Sequence, residues 1–303
     1  MSSVYVQHLK RCITRKDLQA GKQWHTQLLI HDRMPSQVFL DNTLLHMYSK
    51  CGGTKECLEV FNELPFRDTI SWNATLAGFA EHEDGPLALE LFEKMRKDGV
   101  EPDNATFSTI LKVCGMIGAL QKGRLIHELM IKMALGIDGV VCISLMDMYV
   151  KCESFEDACN LLKQPLFHNV ESWNALISGY SCNGNLIAVN HYLKEMQKEG
   201  LKPNRRTFSS ILAACSHVGM VEQGCQHFEG MIKVHGVMPV FEHLNCIVDL
   251  FSRVGQLQEA ERFLQTMPID QSLTGWRALL TSCKVHCNME LGKDCHDQAL
   301  QLD

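Results

Sequence analysis

Apolar residues along the chain recur at the three- and four-residue spacing of amphipathic helices, and turn signals interrupt this spacing about every 31 to 36 residues. Each interval holds two such segments, which predicts two helices joined by a turn. A single pair cannot bury its apolar faces, so neighbouring pairs must stack into a continuous core. The pattern predicts an all-α protein of nine helical hairpins, at 2–37, 38–68, 69–103, 104–138, 139–169, 170–204, 205–240, 241–272 and 273–303.

The interval 69–103 illustrates the construction of one hairpin. The apolar-periodic segment ISWNATLAGFAEH predicts its first helix, and a short break precedes a second helix that opens at Pro86. Proline is favoured in the first turn of a helix because the N–H that it lacks would be unpaired there. Gly99 and Pro102 are expected to end the second helix and to turn the chain into the next interval.

The chain also repeats over a longer distance that contains three hairpins. SWNA at Ser71 returns at Ser172, 101 residues later, and GVEPDNATFSTILKVCG returns as GLKPNRRTFSSILAACS at the same offset. Tyr48 and Tyr149 are also 101 residues apart, and a third copy places Phe251 a further 102 residues along. Several separate segments share one offset, so chance similarity is excluded.

Composition narrows the classes of function. A formal net charge of −6 argues against a uniformly basic sheath for nucleic acid but leaves room for local basic stripes. No stretch approaches the roughly 18 apolar residues of a membrane span, and no targeting segment is visible at the start. The 14 cysteines include no Cys-x-x-Cys pair, so we expect reduced thiols in a reducing compartment.

Enzyme motifs are missing from the sequence, so we expect neither catalysis nor a cofactor. His227 and Glu229 match the His-x-Glu half of a zinc deaminase signature, but the Pro-Cys-x-x-Cys half never follows, which favours a packing role for His227. The densest group of metal-ligand residue types is Cys283, His286, Cys287, Cys295 and His296. Its spacing is not that of a structural zinc site, so no metal is predicted, with a site built on Cys283 and Cys287 as the alternative.

Several segments carry a resemblance to a known family. DNTLLHMYSKCG and VCISLMDMYVKCE resemble the S motifs, ISWNATLAGFAE and ESWNALISGYS the P motifs, and TFSTILKVCG and TFSSILAACSHVG the L motifs of plant-type pentatricopeptide repeat arrays. FEHLNCIVDLFSRVGQLQEAERFLQTMP resembles the last S motif, and GWRALLTSCKVHCNMELGKDCHDQALQLD resembles the E motif that follows such an array. The resemblance covers essentially the whole chain. The landmarks of the rival tetratricopeptide repeat are not in register.

The resemblance implies a right-handed superhelical solenoid of eight repeats over 2–272, followed by an E-like extension over 273–303. It also implies that the fifth residue of each first helix and the last residue of the same repeat read one RNA base. The pairs that can hydrogen-bond are Asn42 with Asp68, Asn73 with Asp103, Ser108 with Asp138, and Asn174 with Asn204; Ser209 and Asn245 hold the fifth position in later repeats. By the family's logic the Asn/Asp pairs prefer U, the Asn/Asn pair C or U, and the Ser/Asp pair G.

Other residues at repeated positions give further expectations. Ile143, paired with Asn169, and also Val6 and Val240 depart from the reading pattern and should contribute packing or nothing. The thirteenth residues of the S-like repeats are predicted to contact phosphates, with solvated helix ends as the alternative: Lys50, Lys151 and Arg253. The tryptophans just before reading positions are predicted to pack between repeats rather than to stack on bases: Trp72, Trp173 and Trp276.

The function implied by the resemblance is sequence-specific binding of single-stranded RNA, with the N-terminal end of the protein toward the RNA 5′ end. Such arrays resemble organellar factors that mark sites of C-to-U editing, with a deaminase recruited in trans, here through 273–303. We expect an organellar location, with the mitochondrion favoured over the chloroplast, and no membrane or DNA partner. The alternative is a helical-repeat scaffold that binds protein and makes no RNA contact.

Overall fold

The computed structural model describes residues 2–31, 38–82, 84–133, 138–266 and 269–302, and within these ranges all regular structure is helical. The chain forms two compact halves, Met1–Asp157 and Ala158–Asp303. The first nine helices are α1 (Ser2–Arg15), α2 (Leu18–His31), α3 (Val38–Cys51), α4 (Thr54–Glu63), α5 (Thr69–Glu81), α6 (Gly85–Lys97), α7 (Asn104–Met116), α8 (Leu120–Lys132) and α9 (Gly139–Lys151). The others are α10 (Phe155–Leu162), in which the division between the halves falls, α11 (Val170–Cys182), α12 (Leu186–Lys198), α13 (Arg205–Val218), α14 (Val221–Lys233), α15 (Phe241–Arg253), α16 (Leu257–Gln265), α17 (Ile269–Val285) and α18 (Met289–Leu302).

Each half is a stack of helical hairpins, as the apolar pattern predicts. In the N-terminal half the odd-numbered helices α1 to α9, which we call first helices, contact one another in chain order. The even-numbered second helices α2 to α8 each pack against the first helix before and after them. The C-terminal half repeats this pattern with first helices α11 to α17 and second helices α12 to α16, and α18 packs on α17. In the part of the chain that the structure describes, no helix combines the length and apolarity needed to cross a membrane.

The predicted hairpin at 69–103 is confirmed. Its helices are α5 and α6, and Pro86 lies in the first turn of α6. The side chain of Asp84 accepts a hydrogen bond from the backbone N–H of Leu87 and caps this helix. Gly99 lies just after Asp98, the C-cap residue of α6, and has φ +77°. Glycine adopts this left-handed conformation without steric cost.

Polar caps determine where most first helices begin. The residue before each of five first helices has an extended backbone, and its side-chain oxygen accepts from the N–H of the third helical residue: Asp68, Asp103, Asp138, Asn169 and Asn204. Such a cap satisfies an amide that has no partner inside the helix and stabilises it by about 1 kcal/mol. In these five cases the last residue of a predicted repeat is the cap of the next first helix.

Aromatic side chains fill the space between a second helix and the first helix that follows it. Phe61 of α4 meets Trp72 of α5 edge to face, with ring centroids 4.6 Å apart. Phe92 of α6 meets Phe107 of α7 in the same way at 6.2 Å. Trp72 has no exposed surface, and Trp173 and Trp276 are also buried. The predicted packing between repeats is therefore observed for Trp72, whereas the ring contact of Trp173 is with Tyr192 of α12 in its own hairpin.

A glycine in three second helices lets the next first helix approach closely. A Cβ atom built on Gly123 of α8 would lie 2.4 Å from the sulfur of Met148 in α9, which is closer than any real contact. Gly21 has the same relation to Met47, and Gly224 to Leu250. These glycines recur at the long period of the sequence, so the period reflects packing between repeats as well as any functional pattern.

Candidate functional site

Two of the predicted reading residues face one open groove in the N-terminal half. The groove lies along α1, α3 and α5, has a volume of about 550 Å³, and is lined by Asn42, Asn73 and Thr43 among others. The exposed apolar side chains of Phe39 and Ile70 also line it, as do the basic residues Lys10 and Lys50. The groove therefore offers two amides, two apolar surfaces and two positive charges to the same ligand. Sequence reasoning did not single out Phe39, Ile70 or Lys10.

Three of the four predicted pairs are joined by hydrogen bonds. The Asn73 amide Nδ2 donates to the Asp103 carboxylate Oδ1 at 2.9 Å, and Asn174 Nδ2 donates to Asn204 Oδ1 at 3.1 Å. Asn42 Nδ2 lies 3.4 Å from each carboxylate oxygen of Asp68, a longer contact. Asn42 and Asn73 are half-buried, whereas Asn174 has no exposed surface. A ligand can reach Asn174 only if the side chains that cover it move.

A third residue, which sequence reasoning missed, joins each of these pairs. It is the third residue of the following first helix: Ser71, Thr106 or Thr207. The Thr106 hydroxyl donates to Asn73 Oδ1 at 2.6 Å, and the Thr207 hydroxyl donates to Asn174 Oδ1 at 2.6 Å. The only signal in the sequence was a hydroxyl residue three positions after an Asp or Asn, which is also the pattern of an ordinary capping box.

The two aspartates of these pairs stay ionised. Burial alone would raise the pKa of Asp103, but hydrogen bonds from the Thr106 backbone N–H and the Asn73 amide outweigh it and hold this pKa below its usual value. The pKa of Asp68 is likewise lowered, because hydrogen bonds from Ser71 and Asn42 outweigh its burial. Both side chains therefore remain hydrogen-bond acceptors at neutral pH.

The other predicted reading residues are not arranged in pairs. Ser108 Oγ lies 2.7 Å from Ser144 Oγ, while Asp138 accepts from the backbone N–H of Val141 and caps α9. Ser209 is half-buried in α13, and Val240, the last residue of its repeat, offers no side-chain hydrogen bond. Asn245 Oδ1 is buried and has no hydrogen-bond partner among the described residues. Of the residues expected not to read a base, Val6 is buried, Ile143 is half-buried in α9, and Asn169 caps α11.

Each predicted phosphate contact lies beside a carboxylate. Lys151 Nζ is 2.7 Å from Asp147 Oδ2, and Arg253 Nε is 2.7 Å from Asp249 Oδ2, in both cases four residues earlier on the same helix. Lys50 of α3 pairs with Glu81 of α5. Lys151 and Arg253 are exposed and Lys50 is half-buried, and ion pairs that water reaches in this way are weak. A phosphate would have to compete with a carboxylate at every one of these positions.

The residues of the deaminase-like motif and of the possible metal group make structural contacts with their neighbours. His227 Nε2 lies 2.9 Å from Asn190 Oδ1, and burial lowers the pKa of His227, so its ring is neutral. Glu229, the other half of the deaminase-like motif, pairs with Lys233. Burial raises the pKa of both Cys283 and Cys295, which lie close together. In the described ranges no three His, Cys, Asp or Glu side chains converge as they would around a metal ion.

Two family models of helical repeats match parts of this sequence. A model of the PPR repeat family matches residues 67–116 and 168–217, and a model of the PPR repeat matches 42–68, 206–234 and 242–270. Pentatricopeptide repeat-containing protein At1g15510, chloroplastic, of Arabidopsis thaliana is 35% identical over 97% of this chain and 34% of its own length. Pentatricopeptide repeat-containing protein At2g03880, mitochondrial, of the same plant is 34% identical over 91% of this chain and 43% of its own.

A solved structure shares the fold. The pentatricopeptide repeat protein PPR10 from maize has a TM-score of 0.71 and 20% identity, over 100% of this chain and 47% of that one. PPR10 in complex with an 18-nt psaJ RNA element has a TM-score of 0.66 and 18% identity, over 92% and 42% of the two chains. The chain spans 32% to 60% of the length of the first curated relatives that it matches. The repeat matches and the sequence identities together show that this chain belongs to the pentatricopeptide repeat family.

Proposed function

We propose that this chain binds single-stranded RNA and reads one base per repeat through the fifth and last residues of its repeats. The observation that carries the proposal is the groove along α1, α3 and α5, which Asn42 and Asn73 line together with Phe39 and Ile70. An unpaired base has two apolar faces and a polar edge. The groove supplies apolar side chains for the faces and amides for the edge, and its lysines suit the phosphates.

The hydrogen bonds within a pair favour one base over another. A carboxylate only accepts, so Asn73 turns its NH₂ group toward Asp103. The amide has a second N–H, and the carboxylate has a second oxygen, with which to meet a base. A donor next to an acceptor complements a carbonyl and the N3–H of uracil. Asn204 instead turns its Oδ1 toward Asn174, which leaves N–H donors on both side chains. Two donors complement N3 and O2 of cytosine, which both accept.

The wider role is part of the same proposal. PPR10, which shares the fold, has been solved with a bound RNA element, and relatives are named as mitochondrial or chloroplastic proteins. We propose an organellar RNA-processing factor of the P-L-S type with eight repeats over 2–272. Its E-like extension over 273–303 would recruit a deaminase that edits C to U at the marked site.

Binding to short RNAs tests the core of this proposal. A single strand that contains 5′-UUGAC-3′ follows the predicted preferences of the repeats from 38–68 to 170–204. We expect this RNA to bind. Replacing either U with A should weaken binding by roughly 5- to 150-fold, the equivalent of about 1–3 kcal/mol per good base contact. Fluorescence anisotropy measures both affinities.

The same RNA annealed to its complement is the matched control, because its base edges are occupied. Equal affinity for every single strand would refute base reading. No affinity for any single strand would refute RNA binding altogether and leave the protein-binding scaffold as the better hypothesis.

Phosphate contact predicts a second result. Replacing Lys151 with alanine should weaken binding of all RNA sequences alike and reduce the slope of log affinity against log salt by about 0.7, the value for one phosphate contact on a single strand. Asp147→Asn should strengthen binding, because it removes the carboxylate that competes with phosphate for Lys151. Lys132→Ala, on the exposed face of second helix α8, is the matched control and should change neither quantity. If Lys151→Ala left the slope of log affinity against log salt unchanged, Lys151 would make no phosphate contact and would be only a solvated residue at the end of its helix.

A further inference from the structure

The hydroxyl residues that join the reading pairs occur directly after repeats whose fifth residue is asparagine. Ser71, Thr106 and Thr207 are buried, and each follows a repeat whose fifth residue is asparagine and whose last residue is Asp or Asn. Where the fifth residue is Val6, Ser108 or Ser209, the third residue of the next first helix has no hydroxyl: it is Leu40, Val141 or His243.

The two exceptions to this match each leave a polar atom unpaired. After the repeat of Asn245, Gly275 precedes Trp276 as Ser71 precedes Trp72, so no hydroxyl is present at this place, and Asn245 Oδ1 is buried with no partner among the described residues. Ser172 follows the repeat whose fifth residue is Ile143, and Ser172 Oγ is likewise buried with no described partner. Since an unpaired buried polar atom is costly, the amide and the hydroxyl satisfy one another where both occur.

The capping box at the start of α7 does not use the proton of the Thr106 hydroxyl. The Thr106 hydroxyl oxygen accepts from the backbone N–H of Asp103 at 3.1 Å, which completes a capping box. That bond uses a lone pair and leaves the single hydroxyl proton free to donate. Asn73 Oδ1, at 2.6 Å, is nearer to it than Asp103 Oδ1, at 2.9 Å, which already accepts from the Asn73 amide and the Thr106 N–H.

We propose that Thr106 is a positioning residue for base selection, and that Thr207 acts in the same way on Asn174, whose Oδ1 is 2.6 Å from the Thr207 hydroxyl. Ser71 differs, because its hydroxyl is nearer to Asp68 Oδ1, at 2.6 Å, than to Asn42 Oδ1, at 2.9 Å. Asp103 holds the amide nitrogen of Asn73, and Thr106 holds its oxygen, so only one orientation of the amide faces the groove. Without the hydroxyl, orientations that present the carbonyl to the base become populated. A carbonyl there accepts from the exocyclic amine of cytosine, so the preference for U over C falls. This inference rests on the proposed reading of RNA and adds a third residue to each pair.

The test compares two RNAs that differ at one nucleotide. The probes are 5′-UUGAC-3′ and 5′-UCGAC-3′ in the same unstructured flanks, and the measured quantity is the ratio of their dissociation constants with the whole chain. Thr106→Val keeps the shape of the side chain and removes the hydroxyl. We expect the ratio to fall by about 2- to 13-fold, the range for one net hydrogen bond. Thr106→Ser restores the hydroxyl and should keep the ratio within about 2-fold of the unmodified chain.

Thr75→Val is the matched control. Thr75 is as fully buried as Thr106, but its hydroxyl donates to the backbone carbonyl of Ser71 within α5. This variant should leave the ratio unchanged. If circular dichroism shows that Thr106→Val does not fold, Thr106→Cys replaces it, because a thiol is a weak donor of similar size.

Two outcomes would overturn the inference, and they differ. If Thr106→Val weakens both RNAs by the same factor, the hydroxyl acts only as a cap of α7, and the proposed reading by Asn73 and Asp103 survives. If the unmodified chain already binds both RNAs equally, the reading of that nucleotide is wrong, and the positioning role is wrong with it.

Discussion

Replacing Asn73 with serine is expected to change the preferred base at one nucleotide from U to G. The variant creates the Ser/Asp combination that Ser108 and Asp138 already form in the next repeat. Serine carries a single hydroxyl in place of the amide, and its small side chain leaves room for a purine. The ratio of affinities for G and U at the second position of 5′-UUGAC-3′ should rise by roughly 5- to 150-fold, the scale of a good base contact. Anisotropy with four probes that differ only there measures it.

Asn62→Ser provides the control for this change. Asn62 is an exposed asparagine near the end of second helix α4, away from the groove, and its replacement should leave all four affinities unchanged. An unchanged preference in Asn73→Ser would contradict base reading by this residue. A change at a different nucleotide would instead show that the assignment of repeats to bases is shifted.

Truncating Trp72 to alanine is expected to cause the largest loss of stability. The side chain is completely buried and packs edge to face on Phe61, so its removal opens a cavity between α4 and α5. Deleting a buried tryptophan costs about 3–5 kcal/mol. Because repeat arrays are stabilised by contacts between neighbours, unfolding in urea should begin at lower concentration for the N-terminal half. Circular dichroism and limited proteolysis follow that transition.

Two further variants serve as controls for Trp72→Ala. Ile187→Ala removes an apolar side chain that is 86% exposed on α12, and the unfolding free energy should change by less than about 0.5 kcal/mol. Trp72→Phe removes a buried indole N–H that has no partner among the described residues, and it should be milder than alanine. If Trp72→Ala lost RNA binding but kept its stability, Trp72 would contact a base and the packing interpretation would be wrong.

The sequence predicted the hairpins well because their signals are local. Pro86 and Gly99 mark helix ends through the backbone conformations that they favour or permit, and the apolar period needs only neighbouring residues. Asn42 and Asn73 were singled out through the family resemblance, and their contacts with Asp68 and Asp103 join residues that are 26 and 30 positions apart in the sequence. Their proposed role in reading bases stays a prediction.

The hydroxyl contacts and the ion pairs were not predictable in the same way. Ser71 and Thr106 look like ordinary helix caps in the sequence, because a hydroxyl three residues after an aspartate always favours that interpretation. That each also bonds the preceding asparagine depends on the distance between neighbouring first helices. Lys151 has Asp147 one turn away, but its choice between that carboxylate and solvent depends on rotamers that a sequence does not specify.

What the sequence by itself determined is the all-helical class, the hairpins and most of the positions where first helices begin, because periodicity and capping are local properties of a chain. Tertiary structure decided which side chains share the groove, that Phe39 and Ile70 line it together with the two asparagines, and that Asn174 is covered. It also decided that Gly21 and Gly123 contact methionines of the next repeat. Each of these depends on how far apart and at what angle neighbouring helices pack, and that geometry results from the fit of many side chains together.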